Sequence, residues 1–297
     1  MRVGIAGLGK MGAVFADRIL GSGHHPLTVW NRNADKAKPF ADRGAKAAAS
    51  LADLAVQSDI ILTIVSDDAA VKGLFEGATG LLSGGGAGKL FVDMSTVRPA
   101  THVAVAKIVE AAGGRFIECP VGGSVKVASE GRLLGFAGGD AADVDRAREV
   151  LGHFCRRIDH AGSMGAGAAL KLAINLPLSV YWQALGEAVS VCEGYGFDPE
   201  WLIEMFSESS GGANVLKVRG STVAKALRGE EVPASADVRT MRKDLGLMLA
   251  EAKARGTTSP LVEQAYASYG RAEEAGLGGL DCSAFPAYFA LKGNRAG

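Results

Sequence analysis

The sequence predicts an α/β protein, a doubly wound parallel sheet followed by an all-α domain. Over residues 1–162, short β-branched apolar runs alternate with alanine-rich amphipathic stretches, and such alternation builds a parallel sheet with helices on both faces. Beyond Gly162 helical patterns continue with no convincing strand. Size agrees, because 297 residues suit two domains at roughly 100–200 residues each. We place the domains at residues 1–162 and 163–297.

The strand expectations, in chain order, are Val3–Ala6, Leu27–Trp30, Ile60–Val65, Leu90–Asp93, Arg115–Glu118, Leu133–Ala137 and Arg156–His160. Each is a short run rich in Val, Ile, Leu or Phe. Between the early strands, Ala13–Leu20, Leu51–Gln57 and Ala100–Ala112 carry helical spacing. In the second half, Ala166–Gly194 is a long apolar helix-prone run interrupted only by Pro177. Pro199–Glu208, Val215–Leu227, Thr240–Ala254 and Pro260–Glu273 follow. Asp198 before Pro199 reads as an N-cap with proline at the first helical position.

Composition excludes several classes. Thirty-two basic residues balance 32 acidic ones, 48% of residues are hydrophobic and 22% charged. The chain is therefore neither disordered nor broadly basic, which argues against a nucleic-acid or anionic-membrane partner. Four cysteines, Cys119, Cys155, Cys192 and Cys282, lie far apart, so reduced thiols are expected rather than a disulfide or zinc framework. The first apolar run is too short for a signal-peptide core, and no segment reaches the roughly 20 apolar residues of a membrane helix. A cytoplasmic location is the expectation. His24 and His25, in a turn before Pro26, read as surface residues, and no metal site is expected.

Glycine is the outlier, at 41 residues, about twice the usual share of roughly 7%. Gly7-Leu8-Gly9-Lys10-Met11-Gly12 matches G-x-G-x-x-G, a weak signal alone. Here it follows an apolar strand and opens an amphipathic helix, the Rossmann-type context for dinucleotide binding. Gly7 would allow the tight turn, Gly9 the approach of a pyrophosphate, and Gly12 the packing of helix on strand. Free N–H groups at the helix start favour phosphate. About 20 residues further on, NAD sites place an acidic residue on the ribose, but this chain has Asn31 followed by Arg32. No carboxylate repels a 2′-phosphate, and a guanidinium binds one well. NADP is therefore expected over NAD, with a solvated surface arginine as the alternative. Val65, Ser66, Asp67, Ser95 and Thr96 follow the third and fourth strands, where a doubly wound sheet lines its ligand crevice. Ser66, Asp67 and Ser95 are equally typical of helix N-caps.

Gly165–Asn175 carries the candidate chemistry. Lys171 sits within a nearly apolar helix, with Asn175 one turn later on the same face. A lysine in apolar surroundings loses hydration, which lowers its pKa and readies it for proton transfer. A lysine that snorkels to the surface fits the helical pattern equally well.

At this point the sequence resembles the β-hydroxyacid dehydrogenase family, which includes 3-hydroxyisobutyrate dehydrogenases and tartronate semialdehyde reductases. The resemblance runs through Gly7–Gly12, Asp93-Met94-Ser95-Thr96, Cys119-Pro120-Val121-Gly122-Gly123 and Gly138-Gly139. It continues through Gly165–Asn175, Lys243-Asp244-Leu245-Gly246 and Asp281-Cys282-Ser283-Ala284. It implies a lysine general acid/base at Lys171, a substrate-orienting amide at Asn175, and cofactor contacts near the nicotinamide from Thr96 and Lys243. It also implies a small carboxylate substrate and a homodimer or homotetramer. One departure stands out. The family usually reads Pro-Val-Ser-Gly-Gly, whereas this chain has Pro120-Val121-Gly122-Gly123-Ser124. The N–H groups of Gly122 and Gly123 could still cradle a carboxylate, with the hydroxyl displaced to Ser124.

The expected function is hydride transfer between NADP(H) and a small 3-hydroxy acid or its semialdehyde. An imine reductase or reductive aminase shares the architecture but typically lacks the lysine. A decarboxylating 6-phosphogluconate dehydrogenase has a much larger helical domain. A non-catalytic dinucleotide-binding regulator would be expected to lose the lysine or to carry an added basic segment.

Overall fold

The computed structural model describes residues 1–288 and forms two compact units, Met1–Lys171 and the chain from Leu172 onward.

The first unit is built on a nine-stranded sheet. Its strands are β1 (Val3–Ala6), β2 (Leu27–Trp30), β3 (Lys46–Ala47), β4 (Ile60–Thr63) and β5 (Leu90–Asp93). They continue with β6 (Arg115–Glu118), β7 (Val121–Gly122), β8 (Leu133–Gly138) and β9 (Cys155–Gly162). The order is β3-β2-β1-β4-β5-β6-β8-β7, with β9 on β8. β1 to β6 are mutually parallel, and the order reverses at β1, so the ligand crevice of this topology opens beyond the carboxyl ends of β1 and β4.

β8 departs from the parallel expectation, since it runs antiparallel to β6 and β7 and parallel to β9. Only the five-residue helix Val125–Ser129 lies between β7 and β8, too little for the dozen or more residues that a parallel crossover needs. The third expected strand ends at Thr63 rather than Val65 because the Val65 N–H leaves the ladder for Ser95 Oγ, 2.9 Å away.

The helices of this unit are α1 (Lys10–Ser22), α2 (Lys38–Ala41), α3 (Leu51–Val56), α4 (Asp68–Phe75), α5 (Pro99–Ala111), α6 (Val125–Ser129) and α7 (Ala141–Leu151). α7 begins where Asp140 accepts from the N–H groups of Ala142 and Asp143. The period-two pattern of the strands fills two cores. Ile60, Leu62, Leu90 and Val92 face one layer, while Ile61, Phe91 and Phe116 face the other. Where β8 crosses between β6 and β9, Gly135 leaves room for two thiols. A Cβ there would lie 3.0 Å from Cys119 Sγ and 3.6 Å from Cys155 Sγ.

The turn from α1 to β2 corrects one expectation. His25 is not a surface residue, being 6% exposed. Its ring stands 5.2 Å from that of His153, edge to face, and His24 stacks on His153 at 5.8 Å. Leaving the sheet, the chain enters α8 (Ala166–Ser190). Its start belongs to the first unit because Gly167 docks closely on β8, where a Cβ would lie 2.1 Å from the Phe136 carbonyl oxygen.

The second unit packs the rest of α8 with α9 (Pro199–Glu208), α10 (Val215–Leu227), α11 (Val238–Ala254), α12 (Pro260–Ala272) and α13 (Phe285–Tyr288). Its core centres on Trp182, Leu245, Tyr269 and Phe285, with Tyr269 and Phe285 stacked at 3.9 Å. Asp198 caps α9 through the Trp201 N–H, as its place before Pro199 leads one to expect. Among the described residues, no helix is long and apolar enough to cross a membrane.

Candidate active site

β1 delivers the chain into the glycine loop. Gly7 has φ +105°, and a Cβ there would sit 2.1 Å from the Ile64 carbonyl oxygen. A Cβ on Gly12 would lie 2.0 Å from the Gly7 carbonyl oxygen, so α1 can pack on the loop only with glycine there. Gly9 differs, since a Cβ at this N-cap of α1 would meet nothing within 4 Å. The protein's own packing accounts for the first and third glycines, and the middle one faces open space. A bare backbone beside the unsatisfied N–H groups of a helix start fits a diphosphate. Met11, just inside the helix, packs against the core.

Asn31 has a local task. Its Oδ1 accepts from the Leu8 N–H at 2.9 Å and its Nδ2 donates to the Asn33 carbonyl at 2.9 Å, which braces the glycine loop from the end of β2. Arg32 is exposed and makes no hydrogen bond or ion pair among the described residues.

The ends of β4 and β5 are cross-linked. Ser95 Oγ accepts the Val65 N–H and its own N–H donates to Asp93 Oδ1 at 3.0 Å. Asp67 caps α4 through the Ala70 N–H at 2.8 Å, and Ser66 Oγ donates to Asp67 Oδ2 at 2.6 Å. The N-cap alternative thus holds for Asp67. Thr96 follows directly, half-buried beyond the end of β5.

Behind these loops lies a cluster that motif spacing does not single out. Asp93, His102 and Glu118 have fully buried side chains. His102 Nε2 is 2.9 Å from Asp93 Oδ1, and its Nδ1 meets Glu118 Oε2. Burial alone would push the His102 pKa down, but the two carboxylates outweigh it and hold it up at about 9. The available signal was the register. Asp93 and Glu118 pair across β5 and β6, and two neighbouring buried carboxylates call for a cation. The cluster reaches the candidate catalytic helix, since Gly167 N–H donates to Glu118 Oε1 at 2.8 Å. Lys171 follows one turn later on α8, half-buried.

In the substrate loop Gly122 ends β7, and a Cβ there would stand 3.1 Å from the Phe136 ring. Gly123 has φ +135°, and a Cβ would lie 2.6 Å from Leu133. Ser124 caps α6, its Oγ accepting from the Val127 N–H at 3.4 Å. The turn by itself therefore accounts for glycine at 123.

Within the second unit, Asn175 Nδ2 donates to Asp244 Oδ2 at 3.0 Å, and Lys243 Nζ stands 2.9 Å from Asp244 Oδ1. Asp244 is buried and joins Asn175 on α8 to Lys243 on α11. Among the described residues, no three His, Cys, Asp or Glu side chains gather to hold a metal ion.

Comparison with known proteins bears directly on this arrangement. Residues 2–170 match the family described as the NAD binding domain of 6-phosphogluconate dehydrogenase. Residues 165–288 match the one described as NAD-binding of NADP-dependent 3-hydroxyisobutyrate dehydrogenase. The chain belongs to the β-hydroxyacid dehydrogenase family. As a member of that family it is an NAD(P)-binding oxidoreductase. The 3-hydroxyisobutyrate dehydrogenase of Pseudomonas aeruginosa is 32% identical over 262 residues, covering 87% of this chain and 88% of that protein. Glyoxylate/succinic semialdehyde reductase 2 of Arabidopsis thaliana is 28% identical over 282 residues, 95% of this chain and 77% of that one. Among solved structures, Mycobacterium tuberculosis 3-hydroxyisobutyrate dehydrogenase with L-serine superposes with a TM-score of 0.84 at 27% identity, covering 96% of this chain and 98% of that one. A reductive aminase from Aspergillus terreus shares the fold, with a TM-score of 0.63 at 21% identity over 97% of this chain and 99% of that one.

Proposed function

We propose that this β-hydroxyacid dehydrogenase prefers NADP(H) and interconverts a small 3-hydroxy acid and its semialdehyde, with Lys171 as general acid/base. The observation that carries the reading is α8 itself. It presents Lys171 one turn after the anchored Gly167, and Asn175 one turn further with its amide fixed by Asp244.

The dinucleotide, held along Gly7–Gly12, supplies hydride when bound. In reduction Lys171 gives its proton to the carbonyl oxygen of the substrate, and in oxidation it takes the hydroxyl proton. Asn175 orients the substrate, while Gly122, Gly123 and Ser124 border its carboxylate. Leu8, Met11, Val65, Ser66, Thr96 and Lys243 line the cofactor. Arg32, with no partner among the described residues, is available to a 2′-phosphate, and Asn31 in place of a carboxylate removes the charge that would repel it.

The test is a screen of semialdehydes and 3-hydroxy acids with NADPH, NADH and their oxidised forms, followed at the nicotinamide absorbance band. NADPH should be favoured by at least about tenfold, or about 1.4 kcal/mol, with Arg32→Ala raising its KM. Equal kcat and KM for both cofactors would remove Arg32 from the site. Carboxylate-bearing aldehydes should outcompete matched neutral ones. Equal turnover of the two, together with reduction of imines, would turn the reading to an imine reductase. We also read the chain as a homodimer or homotetramer, which a mass of 30.5 kDa in light scattering at micromolar concentration would overturn.

A further inference from the structure

The buried Asp93–His102–Glu118 cluster lies outside the roles assigned above. An ionised carboxylate only accepts hydrogen bonds, so a ring nitrogen bonded to one carries a hydrogen, whereas a protonated carboxyl would donate to a neutral ring. Nε2 faces Asp93 on β5 and Nδ1 faces Glu118 on β6, and the two carboxylates together favour the charged ring against the cost of burying it. These two carboxylates are the titratable groups facing it. The other polar neighbours are donors to the carboxylates. Thr63 Oγ1 donates to Asp93 Oδ2 at 2.5 Å, Ser95 N–H to Asp93 Oδ1 at 3.0 Å, and Gly167 N–H to Glu118 Oε1 at 2.8 Å.

Such a cluster is a poor way to stabilise a fold, because well-packed apolar residues often do as well or better than buried ions. Its value lies in what it joins. On one side Asp93 holds Ser95, which receives the Val65 N–H of the loop after β4. On the other side Glu118 accepts a first-turn N–H of α8, where Gly167 leaves no slack against Phe136. Lys171 lies one turn along the same helix, within the same compact unit.

We propose that His102 is a positioning residue whose imidazolium locks Glu118 against the first turn of α8 and thereby sets the placement of Lys171. This rests on the reading of Lys171 as the acid/base. A misplacement of about 1 Å, caused away from the chemistry, can cost up to about 10²-fold in rate, so loss of the lock should appear in kcat.

Three measurements test it. In the wild-type protein without cofactor, ring-selective ¹H–¹⁵N NMR should show both His102 nitrogens protonated at pH 7.5, and a neutral ring with a single N–H overturns the proposal even if no variant folds. In His102→Gln, kcat should fall about tenfold or more while the NADPH dissociation constant stays within about threefold. The double variant His102→Gln/Glu118→Gln should be no slower than the slower single one, because the two residues act as one unit. A folded His102→Gln with kcat within about twofold of wild type, or additive losses in the double variant, overturns it.

The third measurement needs no turnover. Trace acetylation of Lys171 in the protein without cofactor, quantified by mass spectrometry against the other lysines, should change by at least about threefold in His102→Gln if the lysine has moved out of its native setting. An unchanged ratio overturns the proposal. Should the wild type turn over no substrate, the proposed function fails while the NMR and labelling results still decide whether His102 holds α8.

Discussion

Lys171 shows how far a single residue can be read before its surroundings are known. In the sequence it is a charge in an apolar helix, equally compatible with a snorkelling surface lysine. What the structure adds is the anchored turn before it, through Gly167 and Glu118. Lys171→Ala is expected to lower kcat by about 10²–10⁴, the usual worth of a positioned acid/base, with NADPH binding nearly intact. Lys171→Arg should do little better, since a guanidinium does not release its proton near neutral pH. Steady-state kinetics with either variant within a few-fold of wild type would return Lys171 to a structural role. His102 and Glu118 were not legible in the same way. Their meaning depends on Asp93 pairing with Glu118 across two strands, and nothing in a separation along the chain reports which strands become neighbours.

At the scale of elements, legibility follows how local the signal is. β1, β2, β5 and β6 have the bounds expected of them, as do α9 and α10, because apolar period and capping residues lie within each segment. α7 has an equally local start signal in Asp140, but its charged face hides the apolar period. The glycine loop after β1 was legible as a fingerprint, whereas the brace from Asn31 to Leu8 was not, because it links residues 23 apart. Ser124 is the element-scale case for the site. Its hydroxyl caps α6 over a long 3.4 Å bond, so Ser124→Ala should cost about 0.5 kcal/mol, the low end for a lost cap, read as a lower urea midpoint. The acid-over-neutral preference in kcat/KM reports separately on contact with substrate. A preference left unchanged removes Ser124 from the substrate site. Gly122→Ser, which restores the family's usual residue, must displace the Phe136 ring to fit.

For the molecule as a whole, two histidine environments shape stability against pH in opposite directions. Burial works against the charged form of His102, yet its carboxylate partners hold the folded pKa at about 9. Its contribution is therefore fully present below the unfolded value near 6.5 and lost as pH rises through about 9. His153 is held below its ordinary value by burial first, and then by His25, His24 and Arg18. Its contribution is present above about pH 6.5 and lost as pH falls through the folded value. Thermal unfolding should give the highest Tm near neutrality, with losses on both sides. His102→Gln should flatten the alkaline side alone. An alkaline limb unchanged in that variant would mean that another group controls it.

The gap that Gly135 leaves between β6 and β9 has a practical consequence. Cys119, just past the end of β6, and Cys155, at the start of β9, share it. Both are free thiols. Burial pushes the Cys119 thiol well up and those of Cys155 and Cys282 to about 12, so all three stay protonated and slow to react. Cys192 alone is partly exposed. Ellman's reagent at pH 8 should therefore titrate one thiol per native chain at once and all four after denaturation, and a second fast thiol in the native protein would contradict this burial. The three slow sulfurs then act as an internal clock. The rate at which Cys119 and Cys155 become reactive times the opening of the sheet, and the rate at Cys282 times the opening of the helical unit, both within a single unmodified sample.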